Sequence, residues 1–124
     1  MTRSTTAARR QALGAYGESL AARHLVAQGM VLLDRNWRCN EGELDLVLRD
    51  GGTLVGCEVK TRSNLTHGSP HEAVTDAKLA RLQRLVLRWM HDHGVHPVET
   101  RVDLVAVLRP PKGRALVEHV RGIG

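Results

Sequence analysis

Aromatic residues are scarce in this chain, which has no phenylalanine, one tyrosine and two tryptophans among 124 residues. Proteins that bind single-stranded nucleic acid without sequence preference commonly stack the bases on aromatic side chains. The shortage argues against such a stacking platform. Any nucleic acid bound here should therefore be recognised through its backbone and its shape.

Cysteines and long apolar segments are scarce as well. Cys39 and Cys57 form neither a CxxC pair nor a disulfide framework, which predicts a reduced, cytoplasmic protein. No apolar run approaches the roughly 20 residues that a membrane-spanning helix requires. No apolar segment follows the basic residues 1–10 as it would in a secretory signal. We therefore expect a cytoplasmic protein with no membrane partner.

The charge balance is basic. Lys and Arg number 18 against 13 Asp and Glu, giving a net charge of +5. An excess of this sign favours an acidic partner, of which nucleic acid is the commonest, although a genome-wide preference for arginine gives the same count. Only Lys60, Lys78 and Lys112 are lysines, so most of the positive charge is on arginine, which suits bidentate contacts to phosphate.

Apolar periodicity predicts a single α/β domain over residues 1–124, in the order α-β-β-β-α-β-β, with a basic and flexible tail within residues 1–10. The first helix is expected over about residues 6–28, ended by Gly29. The second is expected from Ser69 as N-cap, through Pro70 at its first position and Glu72 in a capping box, to about His93. Strands are expected over residues 30–33 and as far as Trp37, then 43–49, 54–62, 100–108 and 115–120. This order predicts a mixed sheet with flanking helices; the polar segment 63–68 is expected to be a mobile loop.

The segment from Glu43 to Lys60 reads as a hairpin closed at Asp50-Gly51-Gly52. Closing the turn there creates one continuous apolar face from the pairs Leu44–Val59, Leu46–Cys57 and Leu48–Val55. A shift by one residue would set Glu58 and Lys60 against leucines, so the apolar pattern rejects it.

In this register Asp45 lies opposite Glu58, and Glu43 lies opposite Lys60. Directly opposed residues have Cβ atoms about 4.5–5.5 Å apart, where two carboxylates are destabilising and require a cation or a shared proton. A divalent ion such as Mg²⁺ takes one or two carboxylates and keeps several waters. Lys60 can then orient or activate an attacking water and stabilise charge on a phosphate.

The alternative interpretation of this face is a solvated surface with ordinary ion pairs. Two features of the sequence oppose it. Val47 and Leu54 share the face, so it is not purely polar. Gly56 also leaves room beside Glu58 for the close approach of another chain or a ligand.

The stretch Gly42-Glu43-Leu44-Asp45-Leu46-Val47, followed by Glu58-Val59-Lys60-Thr61-Arg62, resembles the PD-(D/E)xK nuclease superfamily. The sequence is most similar to the YraN-type family of small bacterial proteins, whose members resemble archaeal Holliday junction resolvases. The resemblance runs from about Gly14 to Leu108 and includes Gly14-x-x-Gly17-Glu18, Asn36-x-Arg38, Lys78 and Arg101-Val102-Asp103. The chain departs from the pattern in having Leu44 in place of the proline of the motif, and Val55-Gly56-Cys57 in place of an aromatic-rich strand.

The resemblance implies a restriction-endonuclease-like fold and a metal-dependent endonuclease that hydrolyses phosphodiester bonds in structured or branched DNA. Asp45, Glu58 and the backbone carbonyl of Val59 would hold Mg²⁺ or Mn²⁺, helped by Glu18 from the first helix. Lys60 would serve the attacking water, so the implied catalytic residues are Lys60, Glu58, Asp45 and Glu18. A homodimer is also implied. A non-catalytic nucleic-acid-binding module with the same fold is the alternative.

Glu18 lies among small apolar residues at helical spacing, namely Gly14, Ala15, Ala21, Ala22 and Leu25. A half-buried carboxylate needs a partner or a raised pKa, which favours a place in the site. The alternative is a helix-edge glutamate paired with Arg23 or Arg10.

Five basic residues are predicted to contact nucleic acid: Arg62, Lys78, Arg81, Arg84 and Arg38. On the second helix, Arg81, Arg84 and Arg88 follow one side and form either a phosphate-binding stripe or a solvated face. Asp103 is either a further acidic group near the site or a structural partner of Arg101. The histidines at the end of the second helix do not have the ligand spacing of a zinc site.

Overall fold

Two helices cover opposite faces of a five-stranded sheet in residues 5–63 and 74–123, the part of the chain that the computed structural model describes. The elements are α1 (Thr5–Ala27), β1 (Val31–Cys39), β2 (Gly42–Asp50), β3 (Thr53–Arg62), α2 (Asp76–His93), β4 (Glu99–Leu108) and β5 (Leu116–Val120). The strands are ordered β1-β2-β3-β4-β5, with β3 and β4 parallel and the other neighbours antiparallel. The predicted α/β class with a mixed sheet is therefore confirmed.

The central strands supply two separate cores because their side chains alternate between the two faces. On one face α1 packs against β2, β3 and β4, through a cluster that includes Ala21, Leu25, Leu46, Leu48, Val55, Cys57, Val105 and Val107. On the other face α2 packs through Leu82, Leu85, Val86 and Trp89 against Val47, Leu54 and Val102. A Cβ at Gly56 would overlap the side chain of Val86. The room left by Gly56 is thus filled by α2.

The predicted hairpin register is confirmed at Leu46–Cys57 and Leu48–Val55. It is wrong at Leu44, which packs in the α2 core with Val47 and not beside Leu46. Regular pairing of β2 with β3 ends at Leu46–Cys57, so the alternation of faces need not continue toward Leu44.

The same part of β2 is irregular on its other side. Its pairing with β1 passes from Arg35–Leu46 to Trp37–Leu44 and skips Asn36 and Asp45. Asn36 has a φ of 51°, in the left-handed region that asparagine tolerates better than most residues. The backbone around Asp45 therefore departs from a regular strand on both sides.

The second helix begins later than predicted. Asp76 is its first residue, and the Thr75 side chain caps it by accepting the Lys78 N–H at 3.1 Å. The predicted start at Ser69, Pro70 and Glu72 lies outside the described residues, as does most of the predicted loop 63–68. Val74 and Thr75 are not helical, so the prediction of one continuous helix from residue 69 to residue 93 is wrong. The helix starts later because the Thr75 hydroxyl caps it at Asp76.

The start of the first helix differs from the prediction, whereas the end of the second helix agrees with it. α1 begins at Thr5, so the predicted basic tail is helical from residue 5 to residue 10. The second helix, α2, ends at His93 as predicted, and Gly94 follows it with a φ of 63°. Neither helix in the described residues has the length and apolar content needed to cross a membrane.

Gly17 lets α1 approach β3 closely. A Cβ there would overlap Thr61 Oγ1 and lie 2.8 Å from Thr61 Cβ, so rotating the threonine does not relieve the clash. We expect Gly17→Ala to lower the free energy of unfolding by about 1–3 kcal/mol. Gly14→Ala is the matched control, because Gly14 has open space around it and alanine favours a helix by about 0.5–1 kcal/mol. Urea denaturation measures both, and equal effects would contradict the close approach.

Candidate active site

A cleft of about 580 Å³ opens beside the irregular end of β2 and is lined by residues from both helices. Its charged lining consists of Arg10, Glu18, Glu43, Asp45, Glu58, Lys60, Lys78 and Arg81. The four predicted catalytic residues, Glu18, Asp45, Glu58 and Lys60, thus lie in one cleft. Glu18 enters from α1, while Lys78 and Arg81 enter from α2 on the other side of the sheet.

Asp45 occupies the place where β2 and β3 separate. Its carboxylate accepts the Val59 N–H at 2.9 Å, in place of a backbone carbonyl from a regular ladder. Burial raises the pKa of Asp45 to about 7; the Val59 hydrogen bond opposes this shift, and the negative charges of Glu58 and Glu18 add to it. The carboxylates of Glu58 and Glu18 are therefore close enough to affect the ionisation of Asp45.

Glu58 is held by two lysines. Its Oε2 atom lies 2.5 Å from Lys78 Nζ and 3.3 Å from Lys60 Nζ. Burial alone would raise the pKa of Glu58, but the ammonium groups of Lys78 and Lys60 outweigh it and lower that pKa. Asp45 and Glu58 are thus neighbouring carboxylates with opposite shifts, because only Glu58 contacts the lysines directly.

The two lysines also differ from each other. The pKa of Lys60 is lowered by burial and by the positive charge of Lys78, which Glu58 only partly offsets. Burial would lower the pKa of Lys78 too, but its contact with Glu58 raises it. Lys60 therefore loses its proton more readily than Lys78.

The predicted register placed Glu43 opposite Lys60, but Glu43 does not contact Lys60 in the structure. Its carboxylate instead lies 2.6 Å from Nε of Arg38. Glu43 is beyond the last β2–β3 pair, where β2 is paired with β1 and Arg38 is directly opposite. Arg38, predicted to contact nucleic acid, is therefore engaged in this exposed ion pair.

The other predicted nucleic-acid contacts have different surroundings. Lys78 lies inside the cleft on Glu58, and Arg81 is exposed and lines the cleft one turn later. Arg84 is exposed further along α2. Arg62 is at the end of β3, and its Nε atom is buried without a hydrogen-bond partner among the described residues.

Two further arginines differ from the sequence interpretation. Arg88 does not extend a free stripe with Arg81 and Arg84, because it contacts Glu41 at 3.1 Å and Asp92 at 3.3 Å. Arg10 lines the cleft and was missed as a site residue. The available signal was spacing, since Arg10, Gly14 and Glu18 recur at every fourth position of α1 and all line the cleft.

Asp103 is the structural partner of Arg101, the second of its two predicted roles. It is fully buried and accepts hydrogen bonds from Arg101 Nε at 2.8 Å and from the Gly122 N–H at 3.0 Å. His119 Nε2 lies 2.8 Å from its other oxygen.

Within residues 5–63 and 74–123, no group of three or more His, Cys, Asp and Glu side chains is arranged to hold a metal ion.

The raised pKa of Asp45 predicts a pH-dependent loss of stability. In metal-free buffer its carboxyl stays protonated in the folded protein up to about pH 7, but it ionises in the unfolded chain above the ordinary pKa of 3.8. Protonated Asp45 therefore stabilises the folded protein fully at a pH below the pKa that its carboxyl has in the unfolded chain. This stabilisation is lost as the pH rises through the pKa that the carboxyl has in the folded protein. We expect a loss on the order of a few kcal/mol in the wild type.

Asp45→Asn should remove this loss, because its amide oxygen can still accept the Val59 N–H but does not titrate. Urea denaturation between about pH 4 and about pH 8 measures the free energy of unfolding of both proteins. The difference between the two values isolates Asp45, because the other titrating groups contribute equally to both. Parallel pH profiles for the two proteins would contradict the assigned ionisation.

Comparison with known proteins places these residues in a family. Residues 17–107 match the sequence profile of a family described as "Uncharacterised protein family UPF0102". The chain is 67% identical to a UPF0102 protein of Nocardioides sp. over 124 residues, the full length of both. UPF0102 proteins of Beutenbergia cavernae and Frankia alni are 59% and 58% identical, covering 93% and 91% of this chain and 98% and 94% of theirs. The matched segment contains every charged cleft residue named above except Arg10.

Proposed function

This chain belongs to the uncharacterised protein family UPF0102, the YraN-type family that its motifs predicted. We propose that it is a metal-dependent endonuclease acting on structured or branched DNA. The proposal includes membership of the PD-(D/E)xK superfamily and a restriction-endonuclease-like fold. One observation carries it: three carboxylates and two lysines converge in one cleft, namely Glu18, Asp45, Glu58, Lys60 and Lys78.

Asp45 and Glu58 have the donor chemistry that a hard divalent cation requires. Mg²⁺ and Mn²⁺ prefer oxygen ligands, and Mg²⁺ commonly uses one or two carboxylates and keeps several waters. The repulsion that helps raise the pKa of Asp45 would be relieved by a cation shared with Glu58. The ion would be held by Asp45, Glu58 and the Val59 carbonyl, with Glu18 approaching from α1.

When bound, the metal ion supplies Lewis-acid stabilisation of the charge that develops on the phosphate. The protein's own contribution centres on Lys60, whose ammonium can donate hydrogen bonds to the attacking water and to a phosphate oxygen. The water oxygen adds to phosphorus as one bridging P–O bond breaks, and the proton that the water loses balances the one that the departing oxygen takes up. Asp45 keeps its orientation throughout because the Val59 N–H holds it.

The surroundings of the cleft support a backbone-directed mode of DNA binding. Arg10 and Arg81 lie at the cleft on opposite helices, where they can contact phosphates on either side of a scissile bond. The scarcity of aromatic residues leaves little means of stacking unpaired bases. Recognition through phosphate positions and duplex shape fits a branched duplex better than a single strand.

The test is cleavage of a supercoiled plasmid, a synthetic four-way junction and a linear duplex of the same sequence, each with Mg²⁺ or Mn²⁺ and with EDTA. We expect metal-dependent cleavage that favours the junction over the linear duplex. DNA binding measured in parallel separates the alternatives. Binding without cleavage of any substrate would contradict the enzyme and favour a non-catalytic binding module, whereas cleavage in EDTA would contradict the metal.

A further inference from the structure

We infer that Lys78 is a displaceable counter-ion, which neutralises Glu58 in the metal-free cleft and moves from Glu58 to a substrate phosphate when a divalent cation binds. This inference rests on the proposed function, since it concerns the same site. It assigns Lys78 a role that differs from simple nucleic-acid contact, because the lysine would compete with the cation before it contacts DNA.

The contacts of Glu58 support this displacement. Lys78 and Lys60 both contact the same oxygen of Glu58, Oε2, and the Lys78 distance is the shorter at 2.5 Å against 3.3 Å. Mg²⁺ requires an oxygen ligand at about 2.0–2.1 Å. A carboxylate oxygen already bound by two ammonium groups has little room for that ion, so a cation entering at Oε2 must displace one of them.

The charge balance of the cleft also supports this displacement. At their formal charges, the three carboxylates of Glu18, Asp45 and Glu58 and the two ammonium groups of Lys60 and Lys78 leave the cluster with a single net negative charge. A divalent cation in their midst would give the cluster an excess of positive charge in a partly buried cleft, where repulsion is weakly screened. Binding is favoured if one ammonium moves away or if a phosphate adds negative charge.

The position of Lys78 makes it the ammonium that moves. It lies in the first turn of α2, on a flexible four-carbon side chain, and Arg81 follows one turn later on the same side of the cleft. Lys60 comes from the middle of the sheet, where β3 is paired with β4 through Lys60–Ala106. When Lys78 leaves Glu58, it joins Arg81 on the basic side of the cleft, where a phosphate can hold it.

Displacement of Lys78 couples metal binding to DNA binding. A phosphate that stabilises the displaced Lys78 also favours the cation at Glu58, so metal and DNA must each increase the affinity for the other. Removing the Lys78 ammonium should weaken this coupling and strengthen metal binding in the absence of DNA.

The experiment is calorimetric titration of Mn²⁺, without DNA, into the wild type, Lys78→Met and Arg81→Met. Both variants lose one positive charge from the α2 side of the cleft, but only Lys78 contacts Glu58. We expect Lys78→Met to lower the Kd for Mn²⁺ about tenfold or more, as for a lost charge-assisted hydrogen bond. Arg81→Met should change it by less than about threefold, as for a solvent-exposed charge.

Lysine NMR gives an independent readout, because the chain has only three lysines. With ¹³C-labelled lysine, Mg²⁺ should move the Lys78 Cε resonance toward that of the exposed Lys112, the internal control. An unchanged Lys78 resonance at saturating Mg²⁺, or a Kd that is unchanged or higher in Lys78→Met, would overturn the inference.

The outcomes also separate this inference from the proposed function. If Glu58→Gln abolishes Mn²⁺ binding but Lys78→Met does not change it, the displacement of Lys78 is contradicted and the metal site is still supported. No binding by either the wild type or Lys78→Met would overturn both. Binding by Lys78→Met alone would support the competition directly.

Discussion

Replacing Glu58 by glutamine should reduce DNA cleavage about 10³-fold, the loss typical of removing a group that organises transition-state charge. It should also abolish measurable Mn²⁺ binding. Glutamine keeps the size of the side chain but removes the negative charge that contacts Lys60 and Lys78. The effect should be large because Glu58 contacts both lysines and would also bind the proposed cation.

Glu43→Gln is the matched control for this prediction. Glu43 lines the same cleft and its replacement changes the net charge equally, but its carboxylate is paired with the exposed Arg38. Exposed ion pairs contribute about 0–1 kcal/mol, so we expect cleavage within about threefold of the wild type. Circular dichroism confirms that both variants fold. Equal losses in the two variants would mean that the cleft acts through its overall charge and not through a site at Glu58.

Asp103→Ala should lower the free energy of unfolding by about 3–5 kcal/mol, the usual cost of breaking a buried ion pair. Asp103 is fully buried and contacts Arg101 through both carboxylate oxygens, at 2.8 and 3.0 Å. Its loss leaves the guanidinium with fewer partners, and it also removes the acceptor of the Gly122 N–H. The strand β5 and the residues after it should therefore loosen first.

Asp50→Ala provides the comparison, because Asp50 contacts the same arginine at 3.0 Å but is partly exposed. Its removal should cost about 1 kcal/mol or less. A double replacement of Arg101 and Asp103 by leucine should be less destabilising than Asp103→Ala, since no unpaired charge stays buried. Urea denaturation of the three variants measures these differences, and a cost for Asp103→Ala as small as that for Asp50→Ala would contradict the central role of Asp103.

Alternation of side chains was sufficient to predict the hairpin register near its turn. The pairs Leu46–Cys57 and Leu48–Val55 follow from burial alone, because any shift would expose apolar residues on one strand. The same rule failed at Leu44. An irregular backbone at Asn36 and the separation of β2 from β3 change the faces there, and neither is encoded in the spacing of apolar residues.

The carboxylates of the cleft were also accessible to sequence reasoning, while their partners were not. Asp45 and Glu58 lie on adjacent strands joined by a short turn, one residue beyond the last regular pair, Leu46–Cys57, so the hairpin brings them together. The contact between Glu58 and Lys78 depends on where α2 crosses the sheet, which is a property of the packed core. The environment of Asp103 likewise depends on His119 and Gly122, which arrive with β5 and the residues after it.

The two separate cores have a consequence for when the charged cleft comes into existence. Glu18 is positioned by packing of α1 on one face of the sheet, and Lys78 and Arg81 by packing of α2 on the other. A nascent or partly unfolded chain with either helix undocked therefore has an incomplete cleft. The site is therefore complete only when both helices are packed on the sheet. A chain that is still folding does not present the full set of charges to a polyanion.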